Sequence, residues 1–343
     1  FVGLVIVVGY VLSGPGHGGP ASDHFDGKTF HNLKDAPHGT LAAFLKWQLT
    51  RAQGPWSERP LSPLPPPPKR VARGELRVTF VNHATVLVQM DGMNLLTDPI
   101  WSERASPVSF VGPRRRHEPG IRFEDLPPID VVTVSHAHYD HLDVPTLVRL
   151  AAAHHPRFFV GLGVGVLLRR AGIDSVTELD WWQSEPLTGA AASVRIAGVP
   201  AQHFSNRGLF DRDTTLWLGY VLQGPAGVVY FAGDTGNGPH FAEIRRRFGP
   251  PRLAILPIGA YRPIWFMGPI HISPAEAVAA QEILGANTAL GMHFGTFPLA
   301  DDGQDEPVRD LNTALVAAGR GSAPRATFWT LAPGEGRVVP AGP

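Results

Sequence analysis

Directly after the apolar run Val131-Val-Thr-Val-Ser135, the chain reads His136-Ala-His138-Tyr-Asp140-His141-Leu-Asp143. Imidazole and carboxylate are ligands for borderline and hard divalent cations. His136, His138, Asp140 and His141 fall within six residues, and no regular element can aim side chains so closely spaced at one point. The segment must be a loop that wraps something. Two metal ions are the natural object, zinc or another divalent transition metal: His136 and His138 can hold the first while Asp140 and His141 turn toward the second. Such a loop leaves both coordination spheres incomplete. Three further candidates follow along the chain: His203 after Val199-Pro-Ala-Gln202, Asp234 in Phe231-Ala-Gly-Asp-Thr-Gly236, and His293 in Leu290-Gly-Met-His-Phe-Gly295. Each comes after an apolar run and has small neighbours.

Composition narrows the chemistry further. The 343 residues include 15 His and no Cys, which excludes disulfides, a thiolate nucleophile, iron–sulfur clusters and Cys-rich zinc sites. The 30 Lys+Arg balance the 30 Asp+Glu, so there is no polyelectrolyte signature and nucleic acid is not an expected partner. A hydrophobic share of 43% suits a globular chain. Gly and Pro, 38 and 34 residues, are in excess of the roughly 12% average and predict a fold rich in loops.

Strands must deliver these candidates. Leu76–Val81, Thr85–Met90 and Asn94–Thr97 read as consecutive strands, with Asp91-Gly92 as a hairpin turn. Further strands are expected at 131–134, 158–160, 193–196, 217–222, 228–231, 253–256 and 288–291. Helices are expected at 144–153, 163–171, 240–248, 274–284 and 308–318. Ser273, Pro274 and Glu276 give the helix at 274 an N-cap, an N1 proline and an N3 acid.

Three regions are expected. Residues 1–21 hold an apolar run, Phe1–Leu12, and a Gly/Pro-rich stretch; they read as part of a signal peptide or membrane anchor followed by a tether. Residues 22–70 form an extension with an amphipathic helix, whose Leu41, Phe44, Leu45, Gln48 and Leu49 share one side, and the proline-rich Pro60–Pro68. Residues 71–343 form the main domain.

His136, His138, Asp140 and His141 match the His-x-His-x-Asp-His signature, and the chain resembles the metallo-β-lactamase fold superfamily. More narrowly, it is similar to the zinc-dependent phospholipases D that hydrolyse N-acyl phosphatidylethanolamines. Asn82-His-Ala-Thr-Val-Leu-Val88, Leu96-Thr-Asp-Pro99, Glu178-Leu-Asp-Trp-Trp182, Phe231-Ala-Gly-Asp-Thr-Gly236, Pro257-Ile-Gly-Ala-Tyr261, Trp265-Phe-Met267 and His293-Phe-Gly-Thr-Phe297 carry this similarity. The resemblance implies an α/β fold, the four-layer αβ/βα sandwich. It implies two zinc ions, His136, His138 and His203 on one, Asp140, His141 and His293 on the other, and Asp234 bridging them.

On that resemblance, the expected reaction is hydrolysis of a phospholipid or another small phosphodiester. Two ions about 4 Å apart share a water and bring its pKa near neutrality, and they neutralise the phosphoryl oxygen. Asp140 would orient the nucleophile, and His271 would stabilise phosphoryl charge or protonate the leaving group, a structural role being equally open. His83 and Asp98 are expected to stand behind the ligands and orient them. Trp181, Trp182, Phe204, Tyr261, Trp265 and Phe266 are candidates for an apolar substrate groove, and Arg114-Arg-Arg116 for headgroup contact. A membrane surface is the expected partner, on the extracytoplasmic (periplasmic) side of a bacterial envelope, with a homodimer left open. The competing reading is a lactonase or other carboxylic-ester hydrolase of the same fold.

Overall fold

The computed structural model describes residues 13–35, 39–188, 192–320 and 326–341. The apolar run Phe1–Leu12 lies outside them. Fourteen strands form two seven-stranded sheets among the described residues. The first is ordered β14-β1-β2-β3-β4-β5-β6, with β1 at Leu76–Asn82, β2 at Thr85–Met90, β3 at Met93–Thr97, β4 at Val131–Val134, β5 at Arg157–Gly161, β6 at Val176–Leu179 and β14 at Gly336–Val338. The second is ordered β13-β12-β11-β10-β9-β8-β7, with β7 at Ser184–Thr188, β8 at Ser193–Val199, β9 at Gly219–Gly224, β10 at Gly227–Phe231, β11 at Leu253–Pro257, β12 at Thr288–Met292 and β13 at Thr327–Trp329.

Strand alternation explains the layering, because successive side chains point to opposite faces. In β11, Leu253 and Ile255 enter the core between the sheets, while Ala254 and Leu256 enter a second core under helices. That second core receives Phe241 and Ile244 of α4 (His240–Phe248), Ala277 and Val278 of α6 (Pro274–Leu284), and Leu311 of α7 (Glu306–Ala317). Across the molecule, Val132 and Val134 of β4 meet Leu147 and Leu150 of α2 (Val144–His154) and Leu168 of α3 (Gly165–Arg170). The result is the expected αβ/βα sandwich, both sheets buried on both faces. The capping box of α6 is present as read, Ser273 accepting from the Glu276 N–H and Glu276 from the Ser273 N–H.

β3, β4 and β5 run parallel, as do β10, β11 and β12. Their carboxyl ends therefore open at one rim, where ligands bind in such sheets. Strands β6, β7, β13 and β14 were not expected: they are short, and Thr177, Glu178, Glu185 and Arg337 break the apolar signal. Trp217 and Leu218, expected in a strand, precede β9; Leu218 instead donates its N–H to the Ser135 carbonyl.

The extension differs most from expectation. Residues 13–21, expected as a tether, and residues 22–35 of the extension are hydrogen-bonded along the main domain, from Gly14 N to Asp211 Oδ2, His17 N to Thr214 O and Phe30 N to Asp213 O. Helix α1 (Leu41–Thr50) exists, but among its described side chains the buried one is Trp47, which stacks on Phe266 at 5.1 Å and donates Nε1–H to Asp301. Leu45 and Leu49, expected on its packed side, are exposed. The aromatic ring outbids them because it brings more apolar area and a donor with a buried partner. No helix of the described residues is long and apolar enough to cross a membrane.

Candidate metal centre

The seven residues read as ligands come together at that rim. His136 leaves β4, His203 follows β8, Asp234 follows β10, and His293 follows β12 directly. The sharp exit from β10 needs Gly233: its φ is +61°, and a Cβ there would sit 2.8 Å from Ser135 Cβ. His83, Asp98 and His293 themselves have φ of 46°, 34° and 63°, and strained backbone of this kind clusters at functional sites.

Two groups of nitrogen and oxygen atoms converge. In the first, His136 Nε2 and His203 Nε2 lie 2.7 and 3.4 Å from His138 Nδ1. In the second, His141 Nε2 and His293 Nε2 lie 3.2 and 3.3 Å from Asp140 Oδ2. Asp234 Oδ2 belongs to both, 3.1 Å from His141 and from His293 Nε2 and 3.8 Å from His203 Nε2. His83, Asp140, His141 and His293 form one set able to hold an ion, and His136, His138 and His203 another. The buried atoms His141 Nε2, His293 Nε2, Asp234 Oδ1 and His271 Nδ1 have no hydrogen-bond partner. Buried polar atoms are normally satisfied. Unpartnered imidazole nitrogens facing carboxylate oxygens fit a divalent transition metal of nitrogen and oxygen preference.

The opposite ring nitrogens of four of the five histidines are occupied, while His293 Nδ1 has no hydrogen-bond partner. Asp98 Oδ2 accepts from His141 Nδ1 at 2.6 Å, Ser135 Oγ meets His136 Nδ1 at 2.9 Å, the Ile270 carbonyl accepts from His203 Nδ1 at 3.0 Å, and Asn206 Oδ1 accepts from His138 Nε2 at 2.9 Å. These bonds fix the tautomers of His136, His138, His141 and His203 so that the free nitrogen faces inward. Asp98 stands behind His141. His83 stands behind two of the candidate ligands, its Nε2 3.0 Å from Asp140 Oδ2 and its carbonyl accepting from the His293 N–H at 2.8 Å.

Electrostatics divide the groups. Burial pushes His136 and His203 well below the usual histidine range and His138 to about 4, keeping them neutral. Burial also opposes charge on His141 and His293, but the carboxylates of Asp234 and Asp140 prevail, raising His141 strongly and His293 to about 9. Cation binding there must displace protons. His271 lines the cavity, its Nδ1 4.0 Å from Asp234 Oδ2 and its pKa pushed by burial to about 4.

A cavity of about 580 Å³ opens over the cluster, with His138, Asp140, Asp234, His271 and His293 on its floor. Its walls include Phe44, Trp47, Phe204, Leu209, Phe266, Met267 and Arg212. Of the expected groove aromatics, only Phe204 and Phe266 line it. Trp181 is buried in the inter-sheet core, donating Nε1–H to the Trp217 carbonyl and stacking on His24. Trp182 lies under the Arg247 guanidinium, and Tyr261 donates its hydroxyl to Asp310. Trp265 stands half-exposed beside Lys46. Arg114 and Arg116 are paired with Glu58, and Arg114 with Glu103, while Arg115 is buried against the Ile100 and Ser102 carbonyls. The sequence reading missed Asn206 and Arg207, although both sit within four residues of His203. Arg207 grips the metal loop through the Ala137 and Leu142 carbonyls.

A four-layer sandwich whose parallel strand ends gather five histidines and two aspartates defines a metal-dependent hydrolase of the metallo-β-lactamase fold. The model of the beta-lactamase superfamily domain matches residues 93–294, and the chain belongs to that superfamily. It is 39% identical over 334 residues to an uncharacterized protein of Mycobacterium tuberculosis, covering 94% of this chain and 86% of that one. It is 41% identical over 231 residues to the N-acyl-phosphatidylethanolamine-hydrolyzing phospholipase D 1 of Caenorhabditis elegans, covering 65% of each chain. Among solved structures, a metallo hydrolase from the archaeon Ignicoccus hospitalis aligns with a TM-score of 0.57 at 23% identity, covering 77% of this chain and 98% of that one.

Proposed function

We propose that the protein is a dizinc phosphodiesterase that cleaves N-acyl phosphatidylethanolamine or a related membrane phospholipid in the manner of a phospholipase D. The observation that carries this reading is the placement of a two-part His/Asp cluster at the floor of a cavity with apolar walls. The Caenorhabditis elegans relative, named as a phospholipase D that hydrolyses N-acyl phosphatidylethanolamines, supports it. His136, His138 and His203 would hold one ion, Asp140, His141 and His293 the other, with Asp234 between them. Zinc in this setting supplies Lewis acidity toward a phosphoryl oxygen and lowers the pKa of a bound water.

The chain's own groups do the rest. Asp140 Oδ2 is held by His83, so its carboxylate keeps a fixed direction in which to accept a proton from attacking water. His271, neutral at pH 7, offers an unpartnered Nδ1 to the cavity and is placed to hydrogen-bond the phosphoryl group or the leaving oxygen. Arg212, 3.5 Å from Asp213 and over the Phe204 ring, presents a guanidinium on the wall for an anionic diester. Phe44, Trp47, Phe204 and Phe266 exclude water and accept acyl chains.

The reading extends to a membrane surface as the place of action. Leu45 and Leu49 of α1, Trp265 and Ile264 of α5 (Ile264–Met267), and Leu209 and Phe210 are exposed around the elements that line the cavity. Apolar side chains so placed would enter the headgroup layer. Location on the extracytoplasmic side of an envelope is part of the same proposal and is checked by fractionating cells that express the full-length protein. The activity test is zinc-loaded protein assayed in parallel on a lipid phosphodiester, a soluble aryl phosphodiester and an acyl lactone, with Asp140→Asn as control. Turnover of both phosphodiesters is expected. Turnover of the lactone alone would establish the carboxylic-ester reading instead.

A further inference from the structure

His203 lies where the chain has left β8 and has not entered β9. Its main-chain N–H and C=O therefore have no strand beside them, yet buried backbone groups need partners. One side chain takes both. Asn32 Oδ1 accepts from the His203 N–H at 3.0 Å, and Asn32 Nδ2 donates to the His203 carbonyl at 2.8 Å. Asn32 Oδ1 also accepts from Trp217 Nε1 at 2.9 Å. That third bond fixes the amide, because the flipped orientation would set donor against donor at two places.

The segment that carries Asn32 is held independently. Phe25 and Phe30, 2% and 1% exposed, enter the inter-sheet core and are bridged to each other. His24 Nε2 lies 2.8 Å from Asp180, and the Lys34 carbonyl accepts from Gln202 Nε2 at 2.6 Å. Gln202 in turn is bound through its N–H to Thr235 Oγ1, next to Asp234. The chain of contacts runs from the extension to both sides of the cluster.

We infer that Asn32 is a positioning residue for the metal centre: it stands in for the absent neighbouring strand and fixes the main chain from which the His203 imidazole projects. The His203 ring is thereby held at both ends, by Asn32 through the backbone and by the Ile270 carbonyl at Nδ1. Residues 22–35, which lie outside the matched superfamily domain 93–294, are then part of the site. The inference rests on the reading of His203 as a ligand.

The test is competitive zinc titration of the metal-stripped protein against a chromophoric chelator, with thermal melting of the metal-free protein measured alongside. Groups that orient ligands typically contribute 10–100-fold in metal affinity. Asn32→Ala is expected to weaken one zinc equivalent by roughly 10–100-fold and leave the other unchanged. Asn32→Asp keeps the acceptor for His203 N–H and Trp217 Nε1 and loses the donor, so it is expected to fall between. Leu311→Ala, in the core under the helices and away from both His203 and the segment, is expected to lower melting while zinc affinity holds. Wild-type affinity for both equivalents in Asn32→Ala would overturn the inference, as would losses in Asn32→Ala and Leu311→Ala that merely track melting. His203→Ala separates the two readings. If it loses an equivalent that Asn32→Ala keeps, only the positioning role fails; if it keeps both at wild-type affinity, the ligand assignment fails and the inference with it.

Discussion

At the metal rim, every candidate outside the 136–141 loop except His271 follows a strand within four residues: His83 after β1, Asp98 after β3, His203 after β8, Asp234 after β10 and His293 after β12. At the mouth of the cavity the walls come instead from α1, the loop from Phe204 to Arg212 and the segment from Ala260 to His271. The rim is fixed by the register of buried sheets, which cannot slip without turning each strand inside out. The mouth is fixed by local contacts such as the Trp47–Phe266 stack and presents exposed apolar side chains. In this molecule chemistry is tied to the architecture that costs most to change, and substrate selection to elements added around it. Substitutions at the two places should therefore differ in kind: rim changes should act on every substrate, mouth changes on lipid alone.

Asp234→Ala should break the rim most completely, because this one carboxylate serves both halves of the cluster. Loss of at least about 10³-fold in turnover of lipid and soluble phosphodiester alike is expected, together with lost metal measured by elemental analysis. Retention of two ions and full activity would remove Asp234 from the bridge. Asp98→Asn comes next. It leaves His141 without its 2.6 Å charged partner, and zinc affinity should fall about 10–100-fold while the cavity walls are untouched.

At the mouth, Phe266→Ala should raise KM for the lipid about tenfold, in keeping with the roughly 1.5–3 kcal/mol that burying a phenyl ring contributes. The soluble aryl phosphodiester should change less than about twofold, since it makes no acyl contact. Equal effects on both substrates would place Phe266 with the chemistry and erase the contrast. The double change Leu45→Ser with Leu49→Ser should weaken sedimentation with phospholipid vesicles several-fold and leave soluble turnover intact.

The smallest effect should be at His24. Burial opposes its charge, but hydrogen bonds to Asp180 and Asp23 and their charge raise its pKa above the ordinary 6.5. A folded-state pKa raised above the unfolded value gives stabilisation that is full below about pH 6.5 and is lost as pH rises through the folded value. The melting-temperature difference between wild type and His24→Ala should therefore be largest in mild acid and shrink above neutrality. A difference that grows with pH would reverse the assignment.

How much of this could be read from sequence follows the same division. The His/Asp cluster was legible because a loop with His136, His138, Asp140 and His141 has few other uses, and because Val131–Val134 and Leu253–Leu256 are runs long and apolar enough to mark buried strands. Groove residues were not, because an aromatic side chain has the same apolar character whether it fills a core, as Trp181 does, or lines a cavity, as Phe266 does. Helix periodicity could not foresee that Trp47 would displace Leu45 and Leu49 from the packed face, since its partners Phe266 and Asp301 lie more than 200 residues away. Asn32 gave no signal, as its role depends on a bare backbone at His203 that only the folded loop creates.

The central claim is that two ions bound in this cluster act together on a phosphodiester. Initial rates of lipid phosphodiester hydrolysis by the metal-stripped protein, measured as zinc is added in known equivalents, test it directly. Activity should remain low at substoichiometric zinc and reach its plateau at two equivalents per chain; a plateau at one equivalent, or two bound equivalents with no phosphodiester turnover, would contradict it.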